Sequence, residues 1–319
     1  MKWTKGGNTQ GPGRLPEDRH TALPEDGSGR TLVQEILRRF KKNRMAVAAL
    51  GVLVVLLGIS LGTLAIDLVT GKQVYQEYVV GQNLMMKLKG PSLAGPADWF
   101  GRDEFGRSVL FRVLWGTRYS LFIGLSTVGM ATVAGGILGA AAGFYGGRLD
   151  NGIMRIMDVL LAIPYVLFAI AIVAALGPSI VNLLIAMTIP RIPSMARVVR
   201  AAVMTVKDRE FVEAARAAGA SDGRIIGKYI LPNAASSIIV QATLNVAQCI
   251  LGIAGLSYLG LGVQPPLPEW GAMLSSAKSF IRDAWHITVI PGLAITVTVL
   301  ALNIFGDGLR DALDPKQRN

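Results

Sequence analysis

The chain has 319 residues, of which 51% are hydrophobic and 17% charged, and its formal net charge is +11. Soluble domains usually carry about 25% charged residues, so this composition argues against a protein whose whole surface faces water. The basic residues fall mostly between apolar runs, which predicts contact with membrane lipid and not with nucleic acid.

The N-terminal part divides into a polar tail and a basic amphipathic segment. Residues 1–30 are polar and rich in glycine and proline, and we expect a disordered cytoplasmic tail there. In residues 31–44 apolar positions recur at helical spacing, and basic residues fill the positions between them. This pattern predicts an interfacial helix on a membrane surface, with a solvated helix as the alternative.

Six predicted membrane spans follow. Residues 45–66 hold no charged residue over 22 positions, and a helix of that length rises about 33 Å, enough to cross the hydrocarbon core. Residues 67–118 are predicted to form an external segment that ends in an interfacial helix. Residues 119–315 are predicted to form a core with five further spans. Those spans are predicted at 119–147, 159–176, 180–204, 234–263 and 284–306. The sequence therefore predicts an all-α polytopic membrane protein with six transmembrane helices.

Positive charge predicts the orientation of these spans. Six basic residues lie in residues 30–44, which places the N-terminus in the cytoplasm by the positive-inside rule. Six spans bring the C-terminus to the same side, so residues 205–233 are expected to be cytoplasmic and residues 264–283 an external loop. The expected location is the cytoplasmic cell membrane, crossed several times.

The polar segment at 205–233 predicts two short helices at an angle. The apolar residues of the first helix are spaced i, i+3, i+4 and i+7 and form one face of small side chains. They are Phe211, Ala214, Ala215 and Ala218. Gly219 is expected to end this helix and Pro232 to end the second. From these features alone a plain surface hairpin is the simpler interpretation, although an alanine face also lets another backbone approach closely.

The same segment resembles the coupling loop, or EAA loop, of ABC importer permeases. The matching residues are Glu213, Ala214, Ala215, Gly219, Leu231 and Pro232. Further segments resemble the C-type subunit of the branch that serves dipeptide, oligopeptide and nickel importers. They are residues 100–108, 146–150, 259–266, 269–274 and 306–315.

This resemblance implies a type I importer fold and a function. A similar permease subunit would form a heterodimer with this chain, two ATPase subunits would dock on the coupling loop, and an external binding protein would deliver substrate. ATP and Mg²⁺ would bind to the ATPase subunits, and this chain would bind no cofactor. The sequence is consistent with this, because it contains no P-loop motif. The chain itself is therefore not expected to be an enzyme.

Peptides are the leading substrate by this resemblance, with nickel or a metal chelate as the alternative. Two histidines and one cysteine are too few for a convincing zinc site, so no metal site is predicted. A different class, an ion-coupled transporter or a channel, would often carry acidic residues or histidines within its spans, and these spans largely lack them.

Three further features invite a functional hypothesis. Gly135, Gly139, Gly143 and Gly147 recur every four residues, which suits close helix packing within this chain or against a second permease. Arg191 lies within a span and either lines the passage or snorkels to the interface. The external loop with Pro265, Pro266 and Trp270 either meets the binding protein, plugs the passage or is a plain turn, with the tryptophan expected at the membrane interface.

Overall fold

The structure is a computed structural model, and it describes residues 32–313. The predicted tail at residues 1–30 and the last residues, 314–319, lie outside the described residues. The described part is built from helices and contains no β-strand. The helices are α1 (Leu32–Lys42), α2 (Arg44–Val69), α3 (Val109–Tyr145), α4 (Gly147–Leu161), α5 (Tyr165–Leu176), α6 (Ile180–Thr188), α7 (Ile192–Val206), α8 (Glu210–Ala217), α9 (Asp222–Tyr258), α10 (Trp270–Ala277) and α11 (His286–Leu313).

Within residues 32–313, four helices are long and apolar enough to cross a membrane, namely α2, α3, α9 and α11. The pair α4 and α5 makes a fifth span if the two count as one helix, bent by 82° where the chain passes Pro164. The predicted span at 180–204 is broken into α6 and α7 by a 3₁₀ turn, Ile189–Arg191. Within the described residues, the predicted spans at 159–176 and 180–204 are therefore not continuous helices, because prolines lack the N–H that a regular helix needs and interrupt both.

The second predicted span begins earlier than the sequence pattern indicates. α3 starts at Val109, so residues 109–118, where an interfacial helix is expected, form the first turns of α3 and are not a separate helix. The arginines in these turns have carboxylate partners, which lets the helix continue through them. The pairs are Arg112 with Asp103 at 3.4 Å and Arg118 with Asp67 at 2.6 Å.

Helices α3 and α7 run parallel in close contact, and glycines make that contact possible. Cβ atoms on Gly135, Gly139 and Gly143 would lie 2.8, 2.3 and 2.9 Å from carbonyl oxygens of α7. A real Cβ atom could not come this close to a carbonyl oxygen, so α3 and α7 can pack at this distance only because these three residues have no side chain. Of the two alternatives for this glycine repeat, packing within the chain therefore holds for three of its members. Gly147 has nothing within 4 Å and a positive φ of 58°.

The two ends of the described chain lie together. Phe40 of α1 packs edge-on against Phe305 of α11 with ring centroids 5.6 Å apart, and Ala46 packs against Gly308. Arg216 of α8 lies over the ring of Phe144 at the end of α3. The segment between α2 and α3 and helix α10 lie at the opposite end of the helices. This topology separates the end with α8 from the opposite end. They are called the coupling-loop end and the outer end below, after the predicted orientation.

Candidate functional site

Helix α8 is short and ends at a glycine in the left-handed conformation. Gly219 has φ +78°, which terminates the helix and turns the chain toward α9. The backbone N–H groups of Gly219 and Ala220 donate to the carbonyls of Arg216 and Ala215, at 3.0 and 3.1 Å. Such bonds satisfy carbonyls that the helix end leaves without partners. The turn between α8 and α9 is therefore held by the backbone itself.

The two sides of α8 have different surroundings. Val212 is fully buried with residues of α7 and α9, and Ala215 is 9% exposed. Phe211 is 40% exposed, and Ala214 and Ala218 beside it are exposed as well. The predicted single face of four residues is therefore wrong for Ala215, because α8 lies on the bundle through its Val212 side.

An exposed apolar strip remains on α8. It consists of Phe211, Ala214 and Ala218, and it is called the alanine strip below. Glu213 is also exposed, on another side of α8. Small side chains on an exposed helix face permit the close approach of a second backbone. The strip is therefore suited to receive another protein surface.

The second helix of the loop does not end at Pro232. α9 continues from Asp222 to Tyr258, with a π-helical segment at Ile225–Ile230 directly before Leu231 and Pro232. A proline ring clashes with the carbonyl one turn back, and the wider π turn relieves that clash. The side-chain amide of Asn233 also donates to the carbonyl of Tyr229 at 2.6 Å. The predicted helix end at Pro232 is therefore wrong, and the helix only widens locally into a π turn before it continues. α8 is thus connected to the long spanning helix α9 by one short turn.

Arg191 lies at the joint of α6 and α7 and is 9% exposed. Its Nη1 donates to the carbonyl of Met187 at 2.9 Å, and its guanidinium lies 5.4 Å from the ring centroid of Tyr165. The structure does not bring Arg191 near the coupling loop or the outer loop. It is a separate feature in the interior of the helix bundle.

The outer loop folds back over α3. Pro265 and Pro266 are exposed, whereas Trp270 is 1% exposed and donates its ring N–H to the carbonyl of Val113 at 3.0 Å. Gly116 leaves room for the indole, since a Cβ there would lie 2.9 Å from the ring. Trp270 therefore does not face lipid, because the loop packs onto the bundle, and its position at the level of the membrane interface stays a prediction.

Glu269 was not singled out by the sequence, yet it holds this loop. It is 1% exposed and caps α10 by accepting from the N–H groups of Gly271 and Ala272 at 2.9 and 2.8 Å. The hydroxyl of Ser120 on α3 also donates to it, at 3.2 Å. An acid directly before a helix is a usable cap signal, but its contact with α3 is visible only in the structure.

Ion pairs also hold the segment between α2 and α3. Arg102 pairs with Asp98 at 2.5 Å, and Arg107 pairs with Asp103 at 2.7 Å. The hydrogen bond from Arg102 lowers the pKa of Asp98, whereas burial raises the pKa of Glu104 beside them. In the sequence, these ion pairs were indicated by the spacing of four residues between each aspartate and its arginine.

Comparisons with known proteins agree with this architecture. Residues 135–319 match the family described as binding-protein-dependent transport system inner membrane component. Residues 31–91 match the N-terminal TM domain of oligopeptide transport permease C.

Two curated relatives and one solved structure illustrate the similarity. The dipeptide transport system permease protein DppC of Alkalihalophilus pseudofirmus is 43% identical over 95% of this chain and 94% of its own. The di/tripeptide transport system permease protein DppC of Pseudomonas aeruginosa is 51% identical over 69% of this chain and 72% of its own. A chain of the MetNI methionine ABC transporter, in an inward-facing conformation, has the same fold at 18% identity, with a TM-score of 0.53 over 65% of this chain and 98% of its own.

These matches confirm the resemblance to ABC importer permeases, and they cover the helices that carry the coupling loop. The described helices, four or five of them apolar enough to span a membrane, fit a multi-pass membrane protein. The chain belongs to the family of binding-protein-dependent transport system inner membrane components.

Proposed function

We propose that the chain is a permease subunit of an ATP-binding-cassette importer that moves peptides across the cytoplasmic membrane by alternating access. The printed names of its relatives support a peptide substrate, since they transport dipeptides, di- and tripeptides or glutathione. The protein would act with a second permease subunit, two ATPase subunits and an external binding protein. ATP hydrolysis would take place on the ATPases.

The alanine strip of α8 carries this proposal. It is an exposed apolar face at an end of the molecule where a separate ATPase has access. Single exposed apolar residues are common, but Phe211 with two alanines on one face of a short helix forms a defined docking surface.

The connections of α8 make it suitable as a lever. Val212 anchors its inner side in a cluster with Val199, Val203, Ile225 and Ile230, which belong to α7 and α9. Packed elements move as bodies, because close-packed contacts resist deformation. A displacement of α8 by the ATPases would therefore be transmitted to the spanning helices and would drive the change between inward-open and outward-open states.

The distribution of charge supports a cytoplasmic position for this end. At the outer end, Arg102, Arg107, Arg112 and Arg118 are all paired with carboxylates of the same chain. Exposed basic residues also occur at the outer end, among them Lys72, Lys87, Lys278 and Arg282, but they are scattered along the chain. In contrast, Arg38, Lys41, Lys42 and Arg44 in and after α1 form an exposed cluster near the coupling-loop end. Exposed basic residues close to a span favour the cytoplasmic leaflet.

Substitution of Ala214 tests the docking surface. Ala214→Trp places a large side chain on the exposed strip, so the folded protein is expected to lose binding to the ATPase subunits and ATP-driven uptake. Ala201→Trp serves as the matched control, because Ala201 is an exposed alanine of α7 outside the strip. Co-purification of the ATPases and the thermal unfolding midpoint are measured for both variants. ATPase binding by Ala214→Trp at the wild-type level would contradict the proposal.

A further inference from the structure

Arg191 lies deep within the helix bundle. The residue after it, Ile192, has its carbonyl oxygen 2.8 Å from a Cβ placed on Gly135 of α3. From Gly135 to the helix end at Tyr145 there are ten residues, or about 15 Å of α-helix. The backbone at Arg191 therefore lies about 15 Å along α3 from that helix end, which is half the thickness of a hydrocarbon core of about 30 Å.

The guanidinium is also removed from the outer end of the bundle. Its Nη2 lies 3.5 Å from a Cβ placed on Gly252 of α9. Six residues separate Gly252 from the end of α9 at Tyr258, which corresponds to about 9 Å. Together with the 9% exposure of Arg191, this depth disfavours the snorkelling alternative, in which the charge reaches a membrane surface.

The charge of Arg191 has no anionic partner in the described part of the chain. Arg102, Arg107, Arg112 and Arg118 toward one end of the bundle are ion-paired, but no carboxylate of residues 32–313 lies within ion-pairing distance of Arg191. One of its five N–H donors is bonded to Met187, and its cation lies over the ring of Tyr165. A buried charge without a counter-ion is costly, and within a membrane protein it marks a functional position.

A second polar group beside Arg191 is also without a partner. The hydroxyl of Thr188 is buried and makes no hydrogen bond, and Thr188 precedes Arg191 by three residues at the same joint. Gly252 faces the guanidinium without a side chain of its own. The joint therefore offers a cation, a free hydroxyl donor and a neighbouring position without a side chain.

We propose that Arg191, assisted by Thr188, binds the C-terminal carboxylate of the peptide during its passage. This inference rests on the proposed function, which makes peptides the substrate. The α-carboxyl group is ionised at neutral pH, and the planar guanidinium fork matches its two oxygens. Because Arg191 is nearly buried in the structure, the carboxylate reaches it when the helices around the joint separate during transport.

The test compares a dipeptide with its amide. The complete importer is reconstituted in proteoliposomes, and ATP-driven uptake of dialanine and of dialanine amide is normalised to the loading of the binding protein by each. The wild type is expected to prefer dialanine. Arg191→Gln is expected to lower dialanine uptake tenfold or more and to abolish the preference, whereas Arg191→Lys and Thr188→Val lose less. Arg197→Gln is the matched control, since Arg197 is an exposed arginine of α7 that pairs with Asp158.

Three results would overturn the assignment of Arg191. In the first, Arg191→Gln lowers the uptake of both substrates equally, which indicates a structural role for the residue. In the second, the variant no longer associates with the second permease, which indicates an ion pair between subunits. In the third, the variant keeps the wild-type preference. A wild-type complex that hydrolyses ATP but takes up neither substrate would instead refute the proposed peptide function itself.

Discussion

Single glycines set the distance between α3 and α7. A Cβ atom on Gly139 would lie 2.3 Å from the carbonyl oxygen of Ala196, whereas Gly136, on the same helix, has nothing within 4 Å. Both glycines belong to one small-residue run, but only Gly139 is a member of the four-residue repeat. Their environments differ because Gly139 faces α7, whereas Gly136 does not.

This difference predicts opposite effects of the same substitution. Gly139→Ala forces α3 and α7 apart and is expected to destabilise the protein by about 1–3 kcal/mol, as overpacking does. Gly136→Ala is the control and is expected to be neutral or slightly stabilising, because alanine is the better helix former. The thermal unfolding midpoint of the detergent-solubilised protein measures both. Equal midpoints for the two variants would show that the close contact of α3 and α7 is not needed.

At the scale of elements, the turn between α8 and α9 depends on backbone conformation. Gly219 has φ +78° and open space around it, so only its backbone and not its packing requires glycine there. Gly223 lies in equally open space but in a helical segment without a positive φ. The two glycines therefore separate conformational strain from steric effects.

Gly219→Ala is expected to strain this turn by about 1–2 kcal/mol, the cost of left-handed backbone for an L-residue. The angle between α8 and α9 should then relax, which weakens the ATPase binding that we propose for α8. Gly223→Ala should leave binding unchanged. The affinity of purified ATPase subunits for each variant measures this effect, and unchanged affinity for Gly219→Ala would exclude a role of the turn in docking.

At the scale of the whole molecule, Arg112 connects three parts of the outer end. It is buried in α3, donates to the carbonyls of Val79 and Pro266 at 2.8 and 3.3 Å, and lies 3.4 Å from the carboxylate of Asp103. One side chain thus joins the segment between α2 and α3 to the outer loop. The exposed prolines of that loop are held in place by this contact and by the buried Trp270.

Arg112→Gln removes the charge from this network and is expected to cost about 3–5 kcal/mol, as the loss of one partner from a buried pair does. Limited proteolysis should then cut the outer segment faster, and the thermal unfolding midpoint should fall. Arg155→Gln is the control, because Arg155 is exposed on α4. If Arg112→Gln resists protease like Arg155→Gln, the outer end is held by other contacts.

Hydropathy and spacing were sufficient to determine a helical membrane protein and Gly219 as the end of α8, whereas the coupling-loop motif was identified by family resemblance. The first two features depend on local composition and backbone preference, which a linear pattern contains. Only the tertiary structure decided that Pro232 lies inside a helix, that Ala215 faces inward, that Trp270 is buried and that two spans are broken. Each of these depends on which surface a neighbouring helix covers, and that contact joins residues far apart in the chain.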